Sequence, residues 1–257
     1  MASVLPEITE ARVKELTDKI RDSIERTECK GVVIGLSGGI DSAVVAKLCV
    51  NAIGAENVMG VFMPSSVTPV DDYRVTTEIC SDWKMDLRIL DVQPAVDSLS
   101  AILASSIDTP LDRGNITARC RMIVLYNLAK KYSRVVMGTS NESEMMIGYF
   151  TKFGDGAFDI SPLSGLFKTH VRQIAKIIGV PDEIIQRPPS AGLWEGQTDE
   201  EDMGISYEEL DPILYSMSQG RSDKEISDLT GSSIGKVKRI RKLVRDSEHK
   251  RTQPISP

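Results

Sequence analysis

The sequence predicts an α/β fold, a mostly parallel sheet of about five strands with helices on both faces. Two observations carry this prediction. Short β-branched apolar runs bounded by Gly or Pro recur along the chain, as buried strands do. Stretches with apolar residues at helical spacing fall between those runs, and such alternation implies parallel strands joined by crossover helices.

Taken in order, residues 7–27 place Ile8, Val13, Leu16, Ile20 and Ile24 on one helical face. The run Gly31–Leu36 reads as the first strand, and Ala43–Ile53 as the helix after it. A second strand, Val58–Met63, stops at Pro64, and residues 70–82 are helical. The third strand is Leu87–Leu90, followed by a helix over Pro94–Ala104 and a long one over Asn115–Lys131. Arg134–Gly138 is the fourth strand and Ala157–Ile160 a weak fifth. Residues 186–207 are rich in Pro, Gly and acids and lack periodicity, so they read as a long loop, of the kind that serves as a lid. Residues 207–246 return to helix.

Composition narrows the function. The 257 residues suit one α/β domain with a small helical appendage. No apolar run is long enough to span a membrane, and the first ten residues lack the pattern of a secretory leader. The net charge of −6 argues against an extended nucleic-acid surface. The charge is uneven, because residues 219–251 hold ten Lys or Arg against five Asp or Glu. Cys29, Cys49, Cys80 and Cys120 form no CxxC pair, so a disulfide framework or Cys/His metal site is not expected, and reduced thiols in the cytoplasm are.

Chemistry concentrates at two strand ends. Ser37-Gly-Gly-Ile-Asp-Ser42 follows the first strand and opens a helix. Glycines let a ligand approach the backbone, and the free amides of a helix start attract an anion. Asp41 would repel phosphate unless a divalent cation bridges the two. The pattern is neither GxxxxGK[ST] nor GxGxxG. It resembles the turn of the ATP pyrophosphatase superfamily, which cleaves ATP between its α and β phosphates. The second cluster follows the fourth strand: Thr139, Asn141, Glu142, Glu144, Lys152, Asp155 and Asp159 lie among glycines and aromatic residues.

That cluster, with Ser161–Thr169 behind it, resembles the ammonia-dependent NAD synthetase family. Asn115–Met122, Arg187–Glu201 followed by Gly204, Tyr207, Leu210 and Asp211, and the tail His249–Arg251 agree with the resemblance, which covers nearly the whole chain. It implies a Rossmann-like fold of the adenine nucleotide alpha hydrolase kind. It also implies a single domain over 1–257, with a helical extension at about 207–251 and no glutaminase domain. The implied reaction is ATP-dependent amidation of deamido-NAD by ammonia, through an adenylated nicotinate carboxylate, giving NAD, AMP and pyrophosphate.

Residue by residue, the resemblance implies that Gly35, Leu36, Ser37, Gly38, Gly39, Ile40, Asp41 and Ser42 bind ATP, with Thr139, Lys168 and Ser190. Asp41 and Glu144 would hold Mg²⁺. Arg119, Lys152, Asp159, His249 and Lys250 would contact deamido-NAD. Lys168 would offset charge as pyrophosphate leaves, and Asp155 would face ammonia, although between Gly154 and Gly156 it also reads as a turn residue. A homodimer without nucleic-acid or membrane partners completes the expectation. Three other readings stay open: a different ATP pyrophosphatase acting on RNA or a base, a DNA-binding regulator built on the helix–turn–helix look of 222–245, and a non-catalytic nucleotide sensor.

Overall fold

Four parallel strands run in the order β3-β2-β1-β4: β1 Val32–Leu36, β2 Val58–Phe62, β3 Asp86–Ile89 and β4 Val135–Met137. The structure, a computed structural model, describes residues 4–252, so the first three residues and the last five of the expected 1–257 domain lie outside it. Helix α1 spans Glu10–Glu25, α2 Ile40–Ile53, α3 Val70–Asp82, α4 Gln93–Ile102 and α5 Pro110–Tyr132. Strand residues alternate between faces as the pleat requires. Val32, Ile34 and Leu36 join a core with α1, α2 and α3, whereas Val33 and Val136 join a second core with α4 and α5.

Beyond β4 come α6 Glu142–Ile147, α7 Lys168–Ile177, α8 Asp182–Ile185 and α9 Asp199–Met203, then α10 Tyr207–Ser218, α11 Asp223–Thr230, α12 Ile234–Asp246 and α13 Glu248–Arg251. The α11–α12 pair buries Ile226, Val237 and Ile240 in a third core with Leu210, Ile213 and Leu214 of α10 and Ile147 of α6. The pair therefore packs on α6 and α10 and not on the sheet, as an amphipathic pair with an internal partner.

The expected fifth strand is also corrected. Ala157–Ile160 contributes one parallel bridge, Ile160 to Met137. The Asp159 carboxylate takes the Val136 N–H at 2.8 Å, where a strand partner would present a backbone carbonyl. A side chain thus occupies the donor that a ladder needs, and pairing stops after one bridge. Helix α2 begins three residues before its expected start, inside the turn expected to bind phosphate, with Gly39 as N-cap. Helix α5 begins five residues early, at Pro110, behind a Thr109–Asp112 capping box.

All four cysteines are free, and no helix among the described residues is long and apolar enough to cross a membrane.

His170, in the first turn of α7, is buried. Its Nδ1 accepts the Phe167 N–H at 3.3 Å, and its Nε2 lies 3.1 Å from the Pro6 carbonyl oxygen, so the neutral Nε2–H tautomer satisfies both. Burial holds its pKa below the ordinary 6.5. A depressed histidine pKa means that the unfolded chain takes up the proton first, so this contribution to stability is present above about pH 6.5 and is lost as the pH falls below it. Urea unfolding from pH 7.5 to 5 is expected to show falling stability, and His170→Gln, neutral throughout, is expected to flatten part of that slope. Identical slopes would show that His170 does not titrate as its burial requires.

Candidate active site

The strand order reverses direction between β1 and β4, since β2 and β3 lie on one side of β1 and β4 on the other. Connections leave the carboxyl ends of these two strands toward opposite sides, and open α/β sheets bind ligands in the crevice so formed. Ser37–Ser42 sits at the end of β1, and Gly138–Glu144 at the end of β4. A cleft of about 1250 Å³ opens there. It is lined by Gly35–Ser42, Thr139, Glu144, Asp155, Lys168, Ser190 and Lys250.

The turn is held from within. Ser42 Oγ donates to the Gly39 carbonyl at 3.0 Å, and the Ser37 N–H approaches Ser42 Oγ at 3.3 Å. Gly38 has φ 76°, and a Cβ there would stand 3.1 Å from Asp72 and from the Arg187 guanidinium, so both conformation and space call for glycine. The first amides of α2 have no partner one turn earlier and face the cleft as anion donors.

The two strand ends are tied by Asp41, which begins α2. Asn141 Nδ2 donates to Asp41 Oδ1 at 3.1 Å. Asn141 also accepts the Glu144 N–H at 3.1 Å while Glu144 Oε2 accepts the Asn141 N–H at 3.2 Å, a capping box that starts α6 and fixes the Glu144 rotamer. Asn141 belongs to the polar cluster seen in the sequence, and its Asn-x-x-Glu spacing is the signal for this capping role. Lys168, only 2% exposed, donates to Asp41 Oδ2 and lies 3.5 Å from Glu144 Oε1. Lys168 thus stands against both carboxylates expected to hold the metal.

Three carboxyl groups, Asp41, Glu144 and Asp199, surround one ammonium here. Burial and then the Asp41 charge push the Glu144 carboxyl up to about 8, which Lys168 offsets only in part. Burial alone would lower the Lys168 pKa, but Asp41, Glu144 and Asp199 together raise it, so the ammonium stays charged. Asp199 is buried and accepts from the Tyr207 hydroxyl at 3.0 Å, and burial raises its pKa. Among the described residues no three His, Cys, Asp or Glu side chains form a metal cage by themselves. Asp41 and Glu144 still suit a hard divalent cation that takes its other oxygens from phosphate and water.

Helix α7 positions Lys168 from behind. Ser143 Oγ donates to Asp211 Oδ1 at 2.6 Å and accepts the Lys168 N–H at 3.0 Å, while Asp211 Oδ2 takes the Thr169 N–H at 2.8 Å. Ser143 and Asp211 are both fully buried. Asp211 is visible in the sequence only within the family resemblance and Ser143 not at all, because a lone Ser and a lone Asp 68 positions apart carry no local pattern.

The segment 186–198 forms one wall of the cleft. Arg187 donates to the Gly38 carbonyl and to Asp72, each at 3.0 Å, and pairs with Asp71. At the other end the Asp199 N–H donates to the Pro189 carbonyl at 2.9 Å, and Gln197 bonds Asp202 and Tyr149. Trp194 is half-buried and lines the cleft.

The residues expected to touch the pyridine nucleotide divide. Lys250 lines the cleft, and its ammonium donates to the Gly148 and Phe150 carbonyls at 2.7 and 2.9 Å. Arg119 is exposed beside the cleft and approaches the Lys152 carbonyl, and Lys152 in turn donates to the His249 carbonyl at 2.6 Å. Asp159 lies apart, against Tyr126 and Val136. Asp155 accepts the Thr151 N–H at 2.9 Å, which is its turn role, and is also open to the cleft. The protein around it raises its pKa by desolvation even though its surface faces the cleft.

A glycine-rich turn at the switch point of a parallel sheet, with a carboxylate pair and a buried lysine opposite it, has the make-up of a nucleotide-activating α/β enzyme. Comparison with known proteins narrows the class: the NAD synthase family matches residues 12–254. The chain belongs to that family. It is 45% identical to the NH₃-dependent NAD⁺ synthetase of Thermococcus kodakarensis over 96% of each chain. It is 44% identical to that of Methanocaldococcus jannaschii over 98% of each. Among solved structures, the NMN synthetase of Francisella tularensis superposes with TM-score 0.85 at 38% identity, covering 95% of this chain and 96% of its own.

Ser143→Ala is expected to leave the buried Asp211 carboxylate and the Lys168 N–H each short of a partner. The cost should be about 1–3 kcal/mol in urea unfolding, with activity falling as α7 loses its anchor. Stability and activity both at wild-type levels would remove Ser143 from the support of Lys168.

Proposed function

We propose that this chain makes NAD from deamido-NAD and ammonia, with ATP converted to AMP and pyrophosphate. The observation that carries this reading is the single cleft in which the phosphate-binding turn, the Asp41–Lys168–Glu144 cluster and Asp155 all meet. A carboxylate is a poor acyl donor because its leaving group would be oxide. In the proposed first step a nicotinate oxygen bonds to the α-phosphorus while the bond to the bridging oxygen breaks and pyrophosphate leaves. In the second, the ammonia lone pair attacks the acyl carbon, AMP departs, and nitrogen gives up a proton. Two easier steps replace one hard one.

The chain's residues divide this work. The α2 amides and Ser37 hold phosphate oxygens. Lys168 supplies fixed positive charge where negative charge builds on the leaving group. Thr139 and Ser190 reach ATP from opposite walls. Asp155 orients ammonia or takes its proton, and its raised pKa suits it to that exchange. Segment 186–198 walls the acyl-adenylate from water. Asp41 and Glu144 would hold Mg²⁺, which neutralises phosphate charge when bound. Lys250 in the cleft, with Arg119, Lys152 and His249 beside it, receives the pyridine nucleotide, whereas the Asp159 carboxylate is spent on Val136 and Tyr126 and is withdrawn from that role. Four free cysteines accord with a cytoplasmic enzyme.

The likeness to an NMN synthetase supports a second reading, in which the same amidation acts on the corresponding mononucleotide. Purified protein with ATP, Mg²⁺ and ammonium is expected to form NAD and AMP from deamido-NAD, with glutamine a poor nitrogen source. Asp41→Asn is expected to lower kcat/KM by about 10²-fold or more. Faster turnover of nicotinate mononucleotide would favour the second reading, and no AMP from either nucleotide would sink both.

We also propose that two copies pair through the outer face of α4 and α5. Ile102 is 77% exposed there and Ile123 59%, more apolar surface than a solvated face needs. Arg119 lies on the same helix, so a partner copy would complete its surroundings. Sedimentation should show a dimer that Ile102→Glu with Ile123→Glu converts to monomer. A monomeric wild type at micromolar concentration would end this reading.

A further inference from the structure

Arg121 is a cation in the cleft wall that forms no ion pair with any described residue. Its Nε donates to the Met63 carbonyl at 3.1 Å, just past the carboxyl end of β2. No carboxylate among the described residues pairs with it, whereas Arg187 nearby has two. Asp155 and Asp72 act on Arg121 only from beyond ion-pair distance, and each is engaged elsewhere, Asp155 with the Thr151 N–H and Asp72 with Arg187. Arg121 is half-buried and lines the cleft.

Two residues earlier on α5, Arg119 points away, since two helical steps turn about 200°. Arg119 is exposed to solvent, but Arg121 is half-buried. A desolvated guanidinium is costly unless an anion meets it. With Nε spent on Met63, both Nη groups of the planar fork remain, the geometry that grips two oxygens of one phosphate. The neighbours also place it. Asp72 connects through Arg187 to the Gly38 carbonyl of the phosphate-binding turn, and Asp155 belongs to the side expected to face ammonia.

We propose that Arg121 is an anion-binding residue of the reaction centre, whose guanidinium fork takes phosphate oxygens of a bound nucleotide. The inference rests on the reading of the cleft as a two-nucleotide site. The phosphate belongs either to ATP or to the pyridine nucleotide, and the experiment separates these sources.

Arg121→Met keeps most of the side-chain length and removes the charge, and Arg121→Lys keeps the charge without the fork. Melting of each variant and of wild type would be followed without ligand, with Mg-ATP, and with deamido-NAD, alongside steady-state kinetics in both substrates. Unliganded Arg121→Met is expected to melt at or above wild type, because an uncompensated charge has gone. The KM of one nucleotide should rise about ten- to hundredfold, and its stabilising shift should disappear. The affected nucleotide identifies the phosphate, and Arg121→Lys should fall between. KM values within twofold of wild type for both nucleotides would overturn the proposal, and a lower melting point with them would show that Arg121 only straps α5 to Met63. The wild-type arm separates the two failures: no AMP from wild type counts against the reaction, whereas the ATP-induced shift still reports on Arg121.

Discussion

A lysine ammonium held away from water is the constraint on which this site depends. Lys168 occupies the first position of α7, where the helix dipole already disfavours a cation, and it is almost wholly enclosed. Such a charge persists only where anions surround it, and here they come from three separate parts of the chain: Asp41 from the β1 turn, Glu144 from α6 after β4, and Asp199 from α9. The attraction works in both directions. Without Lys168, three carboxylates would crowd a low-dielectric space, and even with it the Glu144 pKa stays raised, first by burial and then by the Asp41 charge. The cluster is therefore short of positive charge, a shortage that a divalent cation held by Asp41 and Glu144 would relieve.

The sheet order is what allows those groups to meet. β1 and β4 are neighbours although about a hundred residues separate them, and their carboxyl ends release the chain toward opposite sides. Asn141 closes the gap by serving two elements at once, capping α6 with its oxygen and holding Asp41 with its amide nitrogen. Register in β1 thus has a chemical consequence. A slip of one residue would turn Val32 and Ile34 out of their core and would shift the start of α2, Asp41 with it, away from Asn141.

Local patterns carried most of the fold. The first four strands were legible because parallel strands buried on both faces read as unbroken apolar runs, Val32–Leu36 most plainly. The fifth failed because what ends the ladder is a side chain, Asp159, whose role depends on β4 lying beside it. Helix α7 was not anticipated, since its start depends on Ser143 and Asp211 from distant parts of the chain. The phosphate-binding turn and Glu144 were legible from short motifs. Tyr207 and Asp199 appeared only within a family resemblance or an acidic run, because their hydrogen bond to one another is a product of tertiary packing.

The C-terminal helices show why the basic tail reads ambiguously. Their apolar face is consumed by α10 and α6, so the helix–turn–helix look describes an amphipathic pair whose partner is internal. The end of that pair then turns back on the site. Gly148, at φ 74°, ends α6 where a Cβ would stand 2.2 Å from the Ser247 side chain, and this closeness lets the Lys250 ammonium reach the Gly148 and Phe150 carbonyls. Arg251 clamps the Met145 and Met146 carbonyls of the same short helix. A six-residue helix has little stability of its own. The tail's cations satisfy its last carbonyls and favour its negative end, so they hold the Glu144 backbone in place from the far side. The positive charge of the tail, set against an acidic remainder, thus has a use inside the molecule: it steadies the element that carries one of the site's two central carboxylates.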